Sequence, residues 1–283
     1  MIFGIDYTVL VVVLGAAVVG LLSAAMGSFL YVRRESLFAD LVSHSSLPGV
    51  ALSAVLISGM NFLFLVICAM ISALGITSGV DYLRNRLKID PGTLFAVAIT
   101  TSFGLGIIII SHAQKLGIAT GGLERFLLGQ VAAITMEQVG IMVALTVFVL
   151  AMTGLFYRQL QLISFDPTFA RTIGVPIGHI SLLFTVLLTI TIATGISVVG
   201  AILMVALMVS PALIARPWCK RFKSLVASSA VVGFVGALIG SGISFFDPRI
   251  PTGAAIVLVL VATAIVSLTC RLLYLRRTRE VEG

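Results

Sequence analysis

Seven windows of this chain, near residues 7 to 32, 37 to 58, 61 to 80, 92 to 112, 137 to 157, 224 to 244 and 252 to 275, are apolar over the length an α-helix needs to cross the roughly 30 Å hydrocarbon layer of a bilayer. That succession constrains the fold more tightly than any single motif, because a backbone in lipid must satisfy its own N–H and C=O groups, as a helix does. A further stretch, residues 178 to 217, is apolar for about twice the length one helix needs, and "ATGISVVG" interrupts its middle with Gly195, Ser197 and Gly200. Divided there, it brings the count to nine. The expectation is an all-α polytopic membrane protein with about nine transmembrane helices, residues 1–283 forming one transmembrane domain. Composition agrees: the chain is 59% hydrophobic and 10% charged, outside the range of soluble domains. The opening "MIFGIDY" carries Asp6 and no Lys or Arg, so it lacks the basic region of a cleavable signal peptide, and the first window is expected to stay as a membrane helix.

The net charge of +7 could point to nucleic acid, but its placement points elsewhere. With nine spans and the N-terminus outside, the connections facing the cytoplasm carry Arg33, Arg34, Arg84, Arg86, Lys88, Arg158, Arg171, Arg216, Lys220, Arg221 and Lys223, and the C-terminal end adds Arg271, Arg276, Arg277 and Arg279. These are fifteen of the eighteen Lys and Arg, and only Lys115, Arg125 and Arg249 fall outside. Such a bias sets membrane orientation. The C-terminal "RLLYLRRTREVEG" is expected to meet anionic headgroups, and no nucleic-acid partner is expected. Cys68, Cys219 and Cys270 are scattered without CxxC or Cys/His spacing, so neither a disulfide nor a cysteine metal site is expected. The sequence holds no phosphate-binding GxxxxGK[ST] loop, so energy must come from a partner or a gradient.

One stretch breaks the apolar rule. "RRESLFADLVSHSSLPG", residues 33 to 49, sets Asp40 four residues before His44 just inside the second window. Residues four apart share a helix face, with Leu47 and Pro48 continuing it. A charge at the bilayer centre costs roughly 2.5 to 3.5 kcal/mol, and less toward the edge, so the pair calls for polar surroundings such as a water-filled cavity. A carboxylate beside an imidazole suits Mn²⁺, Fe²⁺ or Zn²⁺. The residues alone leave a plainer alternative open: Asp40 stabilised by the helix dipole in the first turn, and His44 bonded to a neighbouring carbonyl.

"VRRESLFADLVSHSSLPGVALS" resembles the signature of the manganese, zinc and iron permease family of bacterial ABC importers, with Ala39 where that family often has Gly. "DPGTLFAVAITTSFGLGIIIIS", "VVGAILMVALMVSPALIAR" and "IPTGAAIVL" are similar to the same family, so the resemblance runs through nearly the whole chain. It implies a fold resembling the vitamin B12-type importer permease, a dimer with a second permease copy or paralogue, and a translocation path between the two. It also implies that the metal contacts are Asp40 and His44, with manganese favoured over iron or zinc as the transported ion and no permanently bound cofactor. The implied partners are an ABC ATPase subunit, which hydrolyses ATP so that this chain is not itself an enzyme, and an extracytoplasmic metal-binding protein. The implied location is the bacterial cytoplasmic membrane, with the N-terminus outside and the C-terminus in the cytoplasm. In "RQLQLISFDPTFARTIGVP", Asp166 as N-cap, Pro167 at the first position and Gly174 as stop mark a short surface helix. The resemblance puts the ATPase-coupling helix there, around Asp166, Pro167, Ala170 and Gly174.

Other candidates are weaker. His112, Glu124 and Glu137 read as residues of the outer surface, and Met204 and Met208 as core packing. Pro211 is expected to kink its helix. Small residues in "GLLSAAMGS" and "GSGIS" are expected to let helices approach closely. The rival function is an ion-gradient-coupled carrier using Asp40 and His44 as a proton relay, although no internal repeat of the kind such carriers show is visible.

Overall fold

The computed structural model describes residues 7–56, 62–115, 135–246 and 250–282, and these are helical almost throughout. In chain order the helices are α1 Tyr7–Arg33, α2 Ser36–Leu56, α3 Phe62–Leu87, α4 Pro91–Lys115, α5 Met136–Leu155, α6 Tyr157–Phe165, α7 Pro167–Thr172, α8 Ile177–Val199, α9 Ala201–Ala215, α10 Phe222–Phe246 and α11 Thr252–Glu282. Seven of them, α1, α3, α4, α5, α8, α10 and α11, are long and apolar enough to cross a membrane. The other two members of the expected nine differ from these in instructive ways. α2 has the length, at 21 residues, but carries Asp40, His44 and five serines. α9 is apolar but has only 15 residues.

The long stretch from 178 to 217 divides as expected, but at one residue rather than three. α8 runs through Gly195 and Ser197, and the break falls at Gly200, whose φ of 87° and ψ of 156° are open essentially to glycine alone. Pro211 sits inside α9 without ending it.

Close approach between helices follows the glycines. α1 and α10 run antiparallel with Gly20 against Gly233; a Cβ on Gly20 would lie 2.5 Å from the Gly233 carbonyl oxygen. Gly27 meets the Met208 backbone of α9, and Gly49 of α2 meets the Cys68 carbonyl of α3. α10 and α11 pack through Gly240 on Ile256. Without a hydrophobic drive between helices in lipid, such contacts supply the dispersion energy of packing. They are spread over four helix pairs, so the bundle does not rest on one interface.

The basic ends gather. Tyr31 and Arg34 from the α1 end, Ser164 and Phe165 from α6, Arg216 after α9, and Lys220, Arg221 and Phe222 at the α10 start line one groove of about 640 Å³. Just beneath it an aromatic cluster fills the bundle: Phe29 lies 4.9 Å edge-on from Phe222 and 6.2 Å from Phe184, and Arg33 caps Phe184 at 4.6 Å. The positive charge that alternates along the sequence therefore converges on one end of the fold.

Candidate functional site

α2 is wedged between α3, which runs antiparallel to it, and α4, which runs parallel. Ser72 of α3 donates to the Ser45 carbonyl at 2.8 Å, while Phe38 meets Phe95 at 5.9 Å and Ser45 faces Ser102 at 3.4 Å on the α4 side. Nearly every residue of α2 up to Ser53 is buried by these neighbours and by α8 and α9. What remains open is one narrow stripe: Leu37, Asp40, His44, Pro48 and Leu52, at helical spacing. Leu47, expected on that face, instead turns inward against Gly106.

Within the stripe, His44 Nε2 stands 3.4 Å from Asp40 Oδ1, the two side chains being 15% and 33% exposed. Phe103 of α4 meets the imidazole edge-on at 5.7 Å and 80°. His44 Nδ1 is buried and has no hydrogen-bond partner among the described residues. The described residues show neither half of the plainer alternative: α2 starts at Ser36, so Asp40 lies past the first turn where the helix dipole acts, and His44 Nδ1 meets no carbonyl among them. A buried polar atom left unpaired costs about 1–3 kcal/mol, a cost tolerated chiefly where the atom has a use. By helical rise, Asp40 and His44 lie about 6 and 12 Å from the α2 start at the basic end, one above the other.

The pair is incomplete on its own. Among the described residues no group of three or more His, Cys, Asp or Glu side chains could hold a metal. Among the described residues one carboxylate and one imidazole share the partly open stripe of α2, fewer groups than a metal ion's usual ligand set.

The short helix before α8 forms where its end signals place it. Asp166 accepts from the Phe169 N–H at 2.8 Å, and Pro167 opens α7. At the other end Val175 N–H donates to the Ala170 carbonyl at 3.0 Å and Gly174 N–H to Arg171 at 3.2 Å, with Gly174 at φ 82°. This is a Schellman stop, which needs the glycine at that position. Phe169 on α7 and Ile173 at its C-terminal cap are apolar side chains left 54% and 52% exposed. At the start of α6, Tyr157 stacks on Phe222 at 6.0 Å; burial pushes its phenol up, and its hydroxyl has no partner among the described residues.

The remaining candidates separate cleanly. Met204 and Met208 are fully buried, against Gly195 and Gly27, as core packing. His112 and Glu137 are exposed, on α4 and at the α5 start. Glu124 lies outside the described residues. Phe103 had no signal in the sequence, since it is one apolar residue among many on α4. The serine density of α2, by contrast, marks in the sequence a helix unsuited to face lipid.

Comparison with known proteins decides what kind of machine this is. The ABC 3 transport family matches residues 6–271. The chain belongs to that family. The zinc transport system membrane protein TroC of Treponema pallidum is 36% identical over 264 residues, covering 93% of this chain and 89% of TroC. The manganese transport system membrane protein MntC of Bacillus subtilis is 27% identical over 260 residues, 92% of this chain and 60% of that longer protein. Among solved structures, PsaBC from Streptococcus pneumoniae in complex with Fab superposes with a TM-score of 0.83 at 29% identity, covering 92% of this chain and 91% of that one. Membership of the ABC 3 family makes this chain a multi-pass membrane permease and not an enzyme, with ATP hydrolysis on a separate subunit. The fold is that of an ABC importer permease.

Proposed function

We propose that this chain is the permease of an ATP-driven importer for a divalent transition metal, manganese favoured over zinc and iron, and that the ion passes Asp40 and His44. The observation that carries the reading is the stripe of α2, where a carboxylate and an imidazole stand 3.4 Å apart on the one face of that helix left partly open among the described residues. Relatives named for manganese and for zinc transport support the cargo class. A second permease, identical or paralogous, set against this face would bring two carboxylates and two imidazoles around one axis, a mixed oxygen and nitrogen set for one ion.

On this reading residues 1–283 act as one transmembrane unit of the bacterial cytoplasmic membrane, with the basic end in the cytoplasm and the N-terminus outside. An extracytoplasmic metal-binding protein delivers the ion at the opposite end. α7, held by Asp166, Pro167, Ala170 and Gly174, seats Phe169 and Ile173 in a groove of the ATPase and transmits its closure through α6 and the Phe29, Tyr157 and Phe222 cluster.

The test is metal accumulation in cells expressing the whole transporter, grown with manganese, zinc or iron limiting in turn. Asp40→Ala and His44→Ala should each abolish uptake of the one metal that the wild type restores, with membrane level and ATPase association unchanged. Normal uptake in both variants would reject the site.

A further inference from the structure

At the basic end, between α9 and α11, lies a recess of about 710 Å³ whose lining includes neither Asp40 nor His44. Three cations line it, Arg216, Lys220 and Arg271, and no Asp or Glu does. Among the described residues no carboxylate comes within ion-pair distance of any of the three. Three positive charges converging without a counter-charge repel one another, so the recess is built for an anion.

Its walls are fixed before any ligand arrives. Arg216 donates from Nη1 to the Cys219 carbonyl at 3.2 Å, which pins the turn Arg216–Trp218. Trp218 Nε1–H donates to Ser267 Oγ at 2.9 Å, and that hydroxyl donates to the Ile214 carbonyl at 3.0 Å, tying the turn to α11. Arg271 lies 6.0 Å over the Trp218 ring and 5.5 Å over Tyr274, aromatic faces that hold a guanidinium in place.

Depth selects the ligand. The apolar span of α11 ends at Leu275, so Arg271 sits about 6 Å inside it by helical rise, and Leu213 and Leu268 line the same recess. A soluble protein would have to dip into the bilayer to reach this arginine, whereas a lipid phosphate lies at that level with its acyl chains beside the leucines. Trp218, 55% exposed with its N–H turned inward, is the amphipathic residue expected at a headgroup boundary.

We propose that this recess binds the phosphate of an anionic phospholipid from the leaflet at the basic end. Recognition is by net negative charge and a phosphodiester, with the acyl chains following the groove between α9 and α11.

Native mass spectrometry of the permease purified with its ATPase tests this, with phosphatidylglycerol, phosphatidylethanolamine or inorganic phosphate added. Phosphatidylglycerol should stay bound, and the zwitterionic lipid and free phosphate should not. The double change Lys220→Gln with Arg271→Gln should weaken phosphatidylglycerol retention by about fivefold for each charge removed, while Lys220→Arg with Arg271→Lys keeps it. Should the first double variant fail to assemble, Lys220→Gln alone, at an exposed side chain, gives the same readout at about fivefold. Equal retention of phosphatidylglycerol in the glutamine variants would overturn the proposal, as would equal retention of phosphatidylethanolamine or of free phosphate by the wild type. Release of the ATPase with lipid retention intact would also overturn it, marking the recess as a protein contact.

Discussion

α8 and α2 both run deep in the bundle and both carry polar side chains, yet they treat them in opposite ways. On α8, Thr185, Thr189, Thr191 and Thr194 each return the hydroxyl to the carbonyl four residues back, at 2.7 to 3.1 Å. Each threonine thereby hides its own polarity inside its own helix, and α8 behaves in packing as though it were apolar. On α2, Ser46 and Ser53 return theirs to carbonyls three residues back, but Ser43 Oγ and His44 Nδ1 are buried with no partner among the described residues, and Asp40 stays partly open. Polarity in a membrane helix does not by itself mark a site. On α2 the unsatisfied polar atoms lie beside a face left partly open among the described residues.

The comparison breaks first at Asp40 and His44. Asp40→Ala or His44→Ala should cut metal affinity by more than about a hundredfold, since even residues that only support a ligand cost tenfold to a hundredfold. Direct binding of manganese or zinc to purified transporter would show it; a variant that binds as the wild type does would place α2 with α8. A smaller effect is expected where α2 is held in register. Gly49→Ala pushes a methyl into the Cys68 carbonyl and should cost about 1–3 kcal/mol by overpacking, whereas Gly75→Ala on α3 meets open space and should be neutral or slightly stabilising. Thermal unfolding midpoints of the two variants, measured side by side, check this, and equal midpoints would mean α2 is free to shift.

Next in size is the cap of α7. Asp166→Ala removes the bond to Phe169 N–H and should cost about 1 kcal/mol of local helix stability. Metal-stimulated ATP hydrolysis should then fall several-fold while metal binding at α2 stays intact; unchanged stimulation would put coupling elsewhere. The smallest effect belongs to α8. Thr189→Val deletes a bond internal to the helix and should change stability by under about 1 kcal/mol, with uptake as in the wild type. Loss of uptake in that variant would make α8 part of the path and erase the contrast.

Much of this was legible beforehand, and for local reasons. Hydrocarbon thickness turns a run of apolar residues into a helix of known length, so the helices could be located without tertiary information, although seven rather than nine of those described are long and apolar enough to cross a membrane. The α7 ends were equally readable, because an N-cap aspartate, a first-turn proline and a glycine at positive φ act within a few residues of themselves. The division of 178 to 217 was visible too, but not its position: Gly195, Ser197 and Gly200 were all candidate breaks, and the structure places the break at Gly200, with Gly195 inside α8 against Met204.

The site was half legible. Spacing of four placed Asp40 and His44 on one face, since that follows from helix geometry alone. Which face of α2 stays open depends on where α3, α4, α8 and α9 lie, and hence on the Gly49 and Gly106 contacts that bring α3 and α4 close. Leu47 shows the limit: by spacing it belongs with His44, and the approach of α4 buries it.

The sequence by itself determined that this chain is a bundle of membrane helices with a basic end and a carboxylate one turn from an imidazole, because transfer energies and helical periodicity act residue by residue. The tertiary structure alone decided that the imidazole is left unsatisfied beside Phe103, that the stripe around it is uncovered, and that Arg216, Lys220 and Arg271 meet around one recess. Those facts depend on distances between segments far apart in the chain, which hydropathy and spacing do not encode.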